Sequence, residues 1–380
     1  MAYKFGIATN KAKDIIVKIG GVEISKDLII EMDISYGIDS TSIHGSLTYN
    51  DLVGTSETIQ FGTEISIYMS NSNEEFFYEE FIITSAIYSR EIGRKNTMVI
   101  SFEDKLTIEL KKRFVSVGFE TCSFKEVILD PRVSADIFLQ RIPDFSDTGV
   151  QLKNFVIPTN KGLLFSIEYL KRKTYSLLYR SQFKFILTDL ISLLNKDPVI
   201  EYFYKTDNEL LDTNMYDFSI EHSNFEDFSF YIPNLKLKYF DIKDKSVQTS
   251  DEFSYQNSAN EMPFENSVQE FETSTKEIYS NDILPENHYK DLYLNKSLEA
   301  FFAHALVPCA FSIEPGNVIS VNYGTLSDDL APEANTSGKW LIKEKTIVYT
   351  QKELFQKLLL VRAKSNKQMS LFDAIGSLLI

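Results

Sequence analysis

The feature that most constrains this chain is an internal repeat. Ile59-Gln-Phe-Gly-Thr-Glu-Ile-Ser-Ile matches Ile313-Glu-Pro-Gly-Asn-Val-Ile-Ser-Val without a gap, at an offset of 254 (313 − 59). Further on, Phe81-Ile-Ile-Thr-Ser-Ala-Ile-Tyr resembles Trp340-Leu-Ile-Lys-Glu-Lys-Thr-Ile-Val-Tyr, whose first residues are offset by 259 (340 − 81) and whose closing tyrosines, Tyr88 and Tyr349, are offset by 261 (349 − 88). One more apolar run follows each block, Met98 to Phe102 and Leu358 to Val361. Gly62 and Gly316 each open a strand, where glycine enters a positive-φ turn at low cost. Ile65 and Ile67 in the first block, and Ile319 and Val321 in the second, alternate with polar residues as the inward face of a strand does. Two related β-barrels follow, the second completed only after a large insertion.

Short alternating runs from Ile16 to Glu109, separated by turn residues, read as the first small barrel. The 29 Phe and 20 Tyr suit pleated, half-buried surfaces, so strands should outnumber helices. The character changes at about Thr121 to Asn195. Ser123-Phe-Lys-Glu-Val-Ile-Leu reads as a brief helix stopped by Pro131, and the stripe Leu163, Ile167, Leu170, Thr174, Leu177 as a longer one. From Asp241 to Asn287 the chain is dense in Ser, Asn, Asp, Glu and Thr, yet Phe253, Tyr255, Phe264, Phe271 and Tyr279 recur; ordered arm and mobile loop both fit this pattern. The expected architecture is mainly β with an α+β insertion, two small barrels in tandem. Residues 1–112 form the first barrel, 113–212 the α+β insertion, 213–240 with 305–364 the second barrel, 241–304 an extended polar arm, and 365–380 a C-terminal docking tail. In that tail Ser370 and Asp373 have capping-box spacing, and Leu371, Phe372, Ile375, Leu378 and Leu379 fall on one helical face suited to a partner surface.

Chemistry is hard to find. The histidines His44, His222, His288 and His304 never approach zinc-ligand spacing, and the serine-elbow, phosphate-loop and dinucleotide patterns are missing. No catalytic, metal or cofactor-binding residue is expected. The carboxylate pairs Glu79-Glu80, Glu226-Asp227 and Asp328-Asp329 are what chance provides in a chain with 54 acids, so no glycoside hydrolysis is read from them. Lys171-Arg172-Lys173 with Arg180 and Lys184 read as a solvated helix face. The formal charge of −15 argues against a stable grip on nucleic acid. Cys122 and Cys309 read as free thiols in a reducing compartment, and no run reaches the roughly 18 apolar residues of a membrane span.

With repeat, barrels, insertion and arm in view, the chain resembles the baseplate hub proteins of contractile-tailed bacteriophages, typified by the trimeric hub of T-even phages. The resemblance is carried by Leu28 to Tyr36, Gly45-Ser-Leu-Thr-Tyr-Asn and Phe61-Gly-Thr-Glu-Ile-Ser-Ile at the amino-terminal end. At the other end it rests on Phe311-Ser-Ile-Glu-Pro-Gly-Asn-Val-Ile-Ser-Val, Ser337-Gly-Lys-Trp-Leu-Ile and Leu358-Leu-Leu-Val-Arg. It implies a non-enzymatic virion protein of the tail baseplate, assembled in the host cytoplasm. It also implies a homotrimer whose duplicated barrels adapt a sixfold tube to a threefold membrane-piercing spike around a DNA channel. Implied partners are the spike, the tail tube and its initiators, neighbouring wedge proteins and the tape-measure protein. The chain ends near Ile380 without a glycine-rich needle repeat, which suggests a hub with a separate spike. Two rivals stay open: a hub or spike component of a type VI-like secretion system, and a tail-tip cell-wall hydrolase, for which the spare segment Thr121 to Asn195 has no histidine and no cysteine beyond Cys122.

Overall fold

Segments such as Asp14-Ile-Ile-Val-Lys-Ile and Glu64-Ile-Ser-Ile-Tyr-Met-Ser place every second side chain on one face, and burying that face makes them strands. A computed structural model of the protein describes residues 12–52, 59–89, 96–133, 142–146, 150–204 (apart from 159, 175 and 183), 213–222, 235–241, 246–249, 276–280, 301–324 and 337–362 (apart from 352). The first strands are β1 (Asp14–Ile19), β2 (Val22–Ile24), β3 (Ile29–Gly37), β4 (His44–Asn50), β5 (Glu64–Ser70), β6 (Phe76–Ser89) and β7 (Thr97–Asp104). They lie in the order β3-β4-β7-β6-β5-β1-β2, all neighbours antiparallel. Val17, Ile34, Leu47, Ile65, Ile67, Phe77 and Ile100 form their core, which also takes in Phe311, Ile347 and Tyr349 from far along the chain.

An α+β unit follows, with α1 (Lys105–Lys112), β8 (Gly118–Cys122), α2 (Phe124–Leu129), β9 (Ile142–Phe145), β10 (Leu152–Val156), α3 (Leu163–Thr174), β11 (Ser176–Arg180), β12 (Lys184–Asp189) and α4 (Leu190–Leu194). β8 pairs with β10, while β11, β12 and β9 form a separate three-stranded sheet. The expected brief helix is α2, opened by a capping box in which Ser123 and Glu126 satisfy each other's backbone amides. On α3 the buried face is Leu163, Ile167, Leu170 and Thr174. Leu177, expected on the same helix, belongs to β11 instead. The physical reason is the helix end, where the Ser176 hydroxyl donates to the Thr174 carbonyl (3.2 Å), occupying a carbonyl a further turn would need.

The remaining strands are β13 (Pro198–Tyr204), β14 (Asp217–His222), β15 (Leu235–Asp241), β16 (Ser246–Thr249), β17 (Lys276–Ser280), β18 (Phe301–Pro308), β19 (Val318–Tyr323), β20 (Gly338–Thr350) and β21 (Glu353–Val361). Six of them run β14-β18-β21-β20-β19-β13, with Tyr202, Phe218, Val307, Ile319, Val321, Trp340 and Leu358 in the core. Phe203 N–H donates to the Thr213 carbonyl and Met215 N–H to the Phe203 carbonyl, so the chain entering β14 closes back onto β13. Pro198–Tyr204, placed by composition in the 113–212 insertion, sits in this sheet through its parallel pairing with β19. Phe301–His304, placed in the arm, pair with β14 from His222 back to Ser219, and Phe302–His304 pair with β21 from Val361 back to Leu359. Leu235–Tyr239 pair with the arm strands β16 and β17, not with barrel strands. Of the arm aromatics Tyr279 lies in β17, and Phe253, Tyr255, Phe264 and Phe271 lie outside the described residues, as does the whole tail with Leu371, Phe372, Ile375, Leu378 and Leu379.

The long strand β20 joins the two sets. Its first residues pair with β19 and its last seven, Glu344–Thr350, pair with β3 from Gly37 back to Glu31. Thirteen strands therefore form one hydrogen-bonded sheet.

Two stretches of that sheet run through the same hydrogen bonds. Gly62 N–H donates to the Ile83 carbonyl (3.0 Å) and Ile83 N–H to the Thr63 carbonyl (2.9 Å); Gly316 N–H donates to the Ile342 carbonyl (2.9 Å) and Ile342 N–H to the Asn317 carbonyl (2.9 Å). Both glycines have positive φ, 92° and 82°. Opposite the buried Ile65 stands Phe81, and opposite the buried Ile319 stands Trp340. One strand residue is extra in each copy, Thr84 opposite the Phe102/Ser101 step and Lys343 opposite the Leu360/Leu359 step, a β-bulge in the same place. Counting from these bulges sets Tyr88 level with Ile347. The matching of Tyr88 with Tyr349 by residue type is corrected accordingly, because register runs from the bulge and not from the side chain.

Candidate functional site: the junction of the two strand sets and the α+β unit

Several of the polar side chains that the fold buries gather where its parts meet. Asp104 ends β7 and caps α1, accepting from the Thr107 amide (2.8 Å), the Thr107 hydroxyl (2.7 Å) and the Ile43 amide (2.9 Å). Arg180, at the end of β11, reaches across to it, one guanidinium nitrogen donating to Asp104 and the other to Glu79 Oε2 on β6 at 2.7 Å. Its guanidinium also lies 5.4 Å from the Phe185 ring centroid. All three charged groups are withdrawn from solvent, so removing the cation leaves two carboxylates uncompensated. Beside them Gln182 Nε2 donates to the Phe76 carbonyl (2.9 Å). The basic cluster expected on a solvated helix face is therefore split. Arg180 is buried in an ion pair, and Lys171, also buried, donates to the Asp39 carbonyl at 2.7 Å. The charge balance favoured a solvated reading, but a low-dielectric pocket prepared with two acids overrides composition.

A second polar group ties β3 and β20 to the segment between β18 and β19. Tyr36 Oη donates to Glu314 Oε1 at 3.2 Å. Lys345, fully buried, donates to the carbonyls of Ala310 (3.1 Å) and Ile313 (2.5 Å) and lies over the Tyr36 and Phe311 rings. Burial pushes the Glu314 carboxyl up to about 7, offset only in part by the Lys345 charge, the Tyr36 hydroxyl and the Gln182 backbone amide. Glu314 Oε2 and Tyr179 Oη are buried without a hydrogen-bond partner, and Tyr179 packs so closely on Gly316 that a Cβ there would stand 2.1 Å from the hydroxyl. Glu75 completes the seam, its Oε2 accepting from Asn71 Nδ2 and from the Phe311 amide, both at 2.9 Å.

This arrangement locks the two strand sets and the α+β unit together. Of the pair Glu79-Glu80, Glu79 is buried and held by Arg180, while Glu226-Asp227 and Asp328-Asp329 lie outside the described residues. Burial pushes the thiols of Cys122 and Cys309 up to about 11 and about 12, which keeps both protonated and poor nucleophiles at neutral pH. Among the described residues no cluster of His, Cys, Asp and Glu has metal-binding geometry, and no helix is long and apolar enough to cross a membrane. Sequence reasoning gave Arg180 a solvated role and missed the roles of Asp104, Tyr36, Glu314 and Lys345. The one local signal was an arginine ending the apolar strand Ser176-Leu-Leu-Tyr-Arg.

No protein-family model matches the sequence, and a search of curated proteins finds no match. Solved structures do match. The tail protein from Neisseria meningitidis MC58 superposes with a TM-score of 0.61 at 11% identity, over 95% of this chain and 98% of that one. The 43 kDa tail protein of prophage MuSo2 from Shewanella oneidensis gives 0.59 at 12% identity, over 93% and 97%. The E. coli c3393 protein is a type VI secretion system component with structural similarity to the T4 tail proteins gp27 and gp5. It gives 0.52 at 8% identity, over 92% and 77%. Through nearly its whole length, this chain has the β-rich α+β fold of phage tail and injection-system proteins.

Proposed function

We propose that this chain is a structural baseplate hub of a contractile tail, a homotrimer whose two barrels adapt a sixfold tube to a threefold spike. One observation carries the reading. The strand order β3-β4-β7-β6-β5 recurs as β14-β18-β21-β20-β19, with the same glycine turn and the same bulge in each copy. A chain holding two such units gives a trimer six similar units toward a tube while it stays threefold toward a spike. Gly62, Gly316, Ile65, Ile67, Ile319 and Val321 act in building that duplication and not in chemistry. The fold shared with tail proteins over 95% of the chain supports a place in a virion tail. Spike, tube and wedge proteins are the partners this role needs, with DNA passing through the centre and no stable grip on it. The c3393 likeness keeps a type VI hub as the second reading. Sedimentation equilibrium of the purified chain at micromolar concentration tests the proposal. A mass three times that of the chain is expected, and a monomer or hexamer, with or without a spike partner, overturns it.

A further inference from the structure

We propose that copies of this chain join edge to edge, the end of β6 in one copy pairing antiparallel with β14 of the next. The inference rests on the hub reading and names the surface through which its trimer forms. Within one chain the seam between the two strand sets is β20 against β3, made by the part of β20 beyond its bulge. In the strand order β6 stands where β20 stands, and β14 stands where β3 stands. Beyond its own bulge β6 pairs with β7 on one side. On the other side β5 stops at Ile82, and among the described residues no strand continues. β14 pairs with β18, and among the described residues no strand pairs with its far edge. Each chain thus carries one finished seam and, at its two extremes, the two halves of another.

Burial agrees. Ser85 to Ser89 are all exposed, with Ile87 at 64% and Tyr88 at 42%, whereas Ile347, level with Tyr88 in the second copy, is 1% exposed. Ser85-Ala-Ile-Tyr-Ser has neither charge nor proline, the devices with which edge strands normally block pairing. A second copy is the occupant because both halves are on this chain and match the finished seam, and a head-to-tail contact of this kind builds rings.

The register follows from the finished seam. Ile347 stands opposite Ile34, which stands opposite Gly45, which stands opposite Phe102. In the second set Ile220 stands opposite Ala303, which stands opposite Leu360. Since Phe102 and Leu360 precede the two bulges alike, Ile220 holds the place of Ile34. Tyr88 therefore faces Ile220 of the partner subunit, Ala86 faces His222 of the partner subunit, and Ser89 faces Ser219 of the partner subunit.

Directly opposed residues of an antiparallel pair come within disulfide reach. The full-length double variant Tyr88→Cys/Ile220→Cys is oxidised at micromolar concentration and run on a non-reducing gel. A covalent trimer that dithiothreitol dissolves is expected, with none from either single variant or from the out-of-register pair Tyr88→Cys/Asp217→Cys. A native trimer in which Tyr88→Cys/Ile220→Cys forms no bond overturns the edge pairing and leaves the hub reading standing, while a chain monomeric throughout removes both. Separately, Ile87→Lys/Tyr88→Lys changes only exposed side chains, so its melting temperature should stay that of the monomeric fold and its self-association should weaken at least tenfold. Unchanged association overturns the proposal.

Discussion

Glu314 is a carboxyl that burial keeps protonated well above the ordinary range, at about 7 in the folded chain against 4.5 for the free side chain. Below pH 4.5 folded and unfolded forms are both neutral and the contribution is fully present. As pH rises from 4.5 to 7 the unfolded chain gives up the proton that the folded chain still holds, and the contribution is lost. The groups facing Glu314 are Tyr36, Lys345, Tyr179, Cys309 and the Gln182 amide, and Lys345 also donates to two carbonyls. At one pKa unit per 1.36 kcal/mol, the gap corresponds to roughly 3 kcal/mol. Glu314→Gln keeps the Tyr36 hydrogen bond and removes the charge. Urea denaturation at pH 5 and pH 8 should show wild type losing more stability than this variant across the interval, with the variant the more stable at pH 8. Equal losses in both proteins would show that Glu314 is solvated in the folded chain.

Elements divide into those readable from neighbours in sequence and those that are not. The alternation of Ile65 and Ile67, the Ser123 and Glu126 cap, and the Leu163, Ile167, Leu170 stripe are local signals, so the strands and helices there are legible in the sequence alone. The pairing of β20 with β3, the parallel entry of β13 and the Arg180 bridge to Glu79 and Asp104 join residues far apart in sequence. Nothing in the residues nearby fixes such partners, because tertiary packing decides them. The two turn glycines show the same division. Both hold φ near 90°, where an alanine costs roughly 1 to 2 kcal/mol. Around Gly62 nothing lies within 4 Å of a Cβ, but at Gly316 the Cβ would meet Tyr179 Oη at 2.1 Å. Gly62→Ala should therefore lose about that strain alone, and Gly316→Ala clearly more, by thermal denaturation. Tyr179→Phe, which removes the buried unpartnered hydroxyl, should recover part of the Gly316→Ala loss and none of the Gly62→Ala loss. Equal costs at both glycines would mean that Tyr179 moves aside freely.

At the scale of the whole molecule, charge works against the assembly that strand pairing builds. Each chain carries a formal −15, so three copies bring −45 (3 × −15) into one ring. Backbone pairing and the burial of Ile87 and Tyr88 change little with salt, whereas repulsion between exposed acids fades once the screening length falls below their separation, about 10 Å at 0.1 M and 3 Å at 1 M. Association of the proposed trimer should consequently strengthen with ionic strength. A nucleic-acid-binding protein does the reverse, since each phosphate contact it makes releases counterions and weakens with salt. Sedimentation velocity at about 50 and about 500 mM sodium chloride separates the two behaviours. Trimerisation should be several-fold tighter at the higher salt, and duplex DNA added at the lower salt should sediment unbound, as a passage that lets a genome through without holding it requires. Weaker association at high salt would mean that attractive ion pairs hold the copies together, and the uncharged β6 edge would then no longer account for the contact.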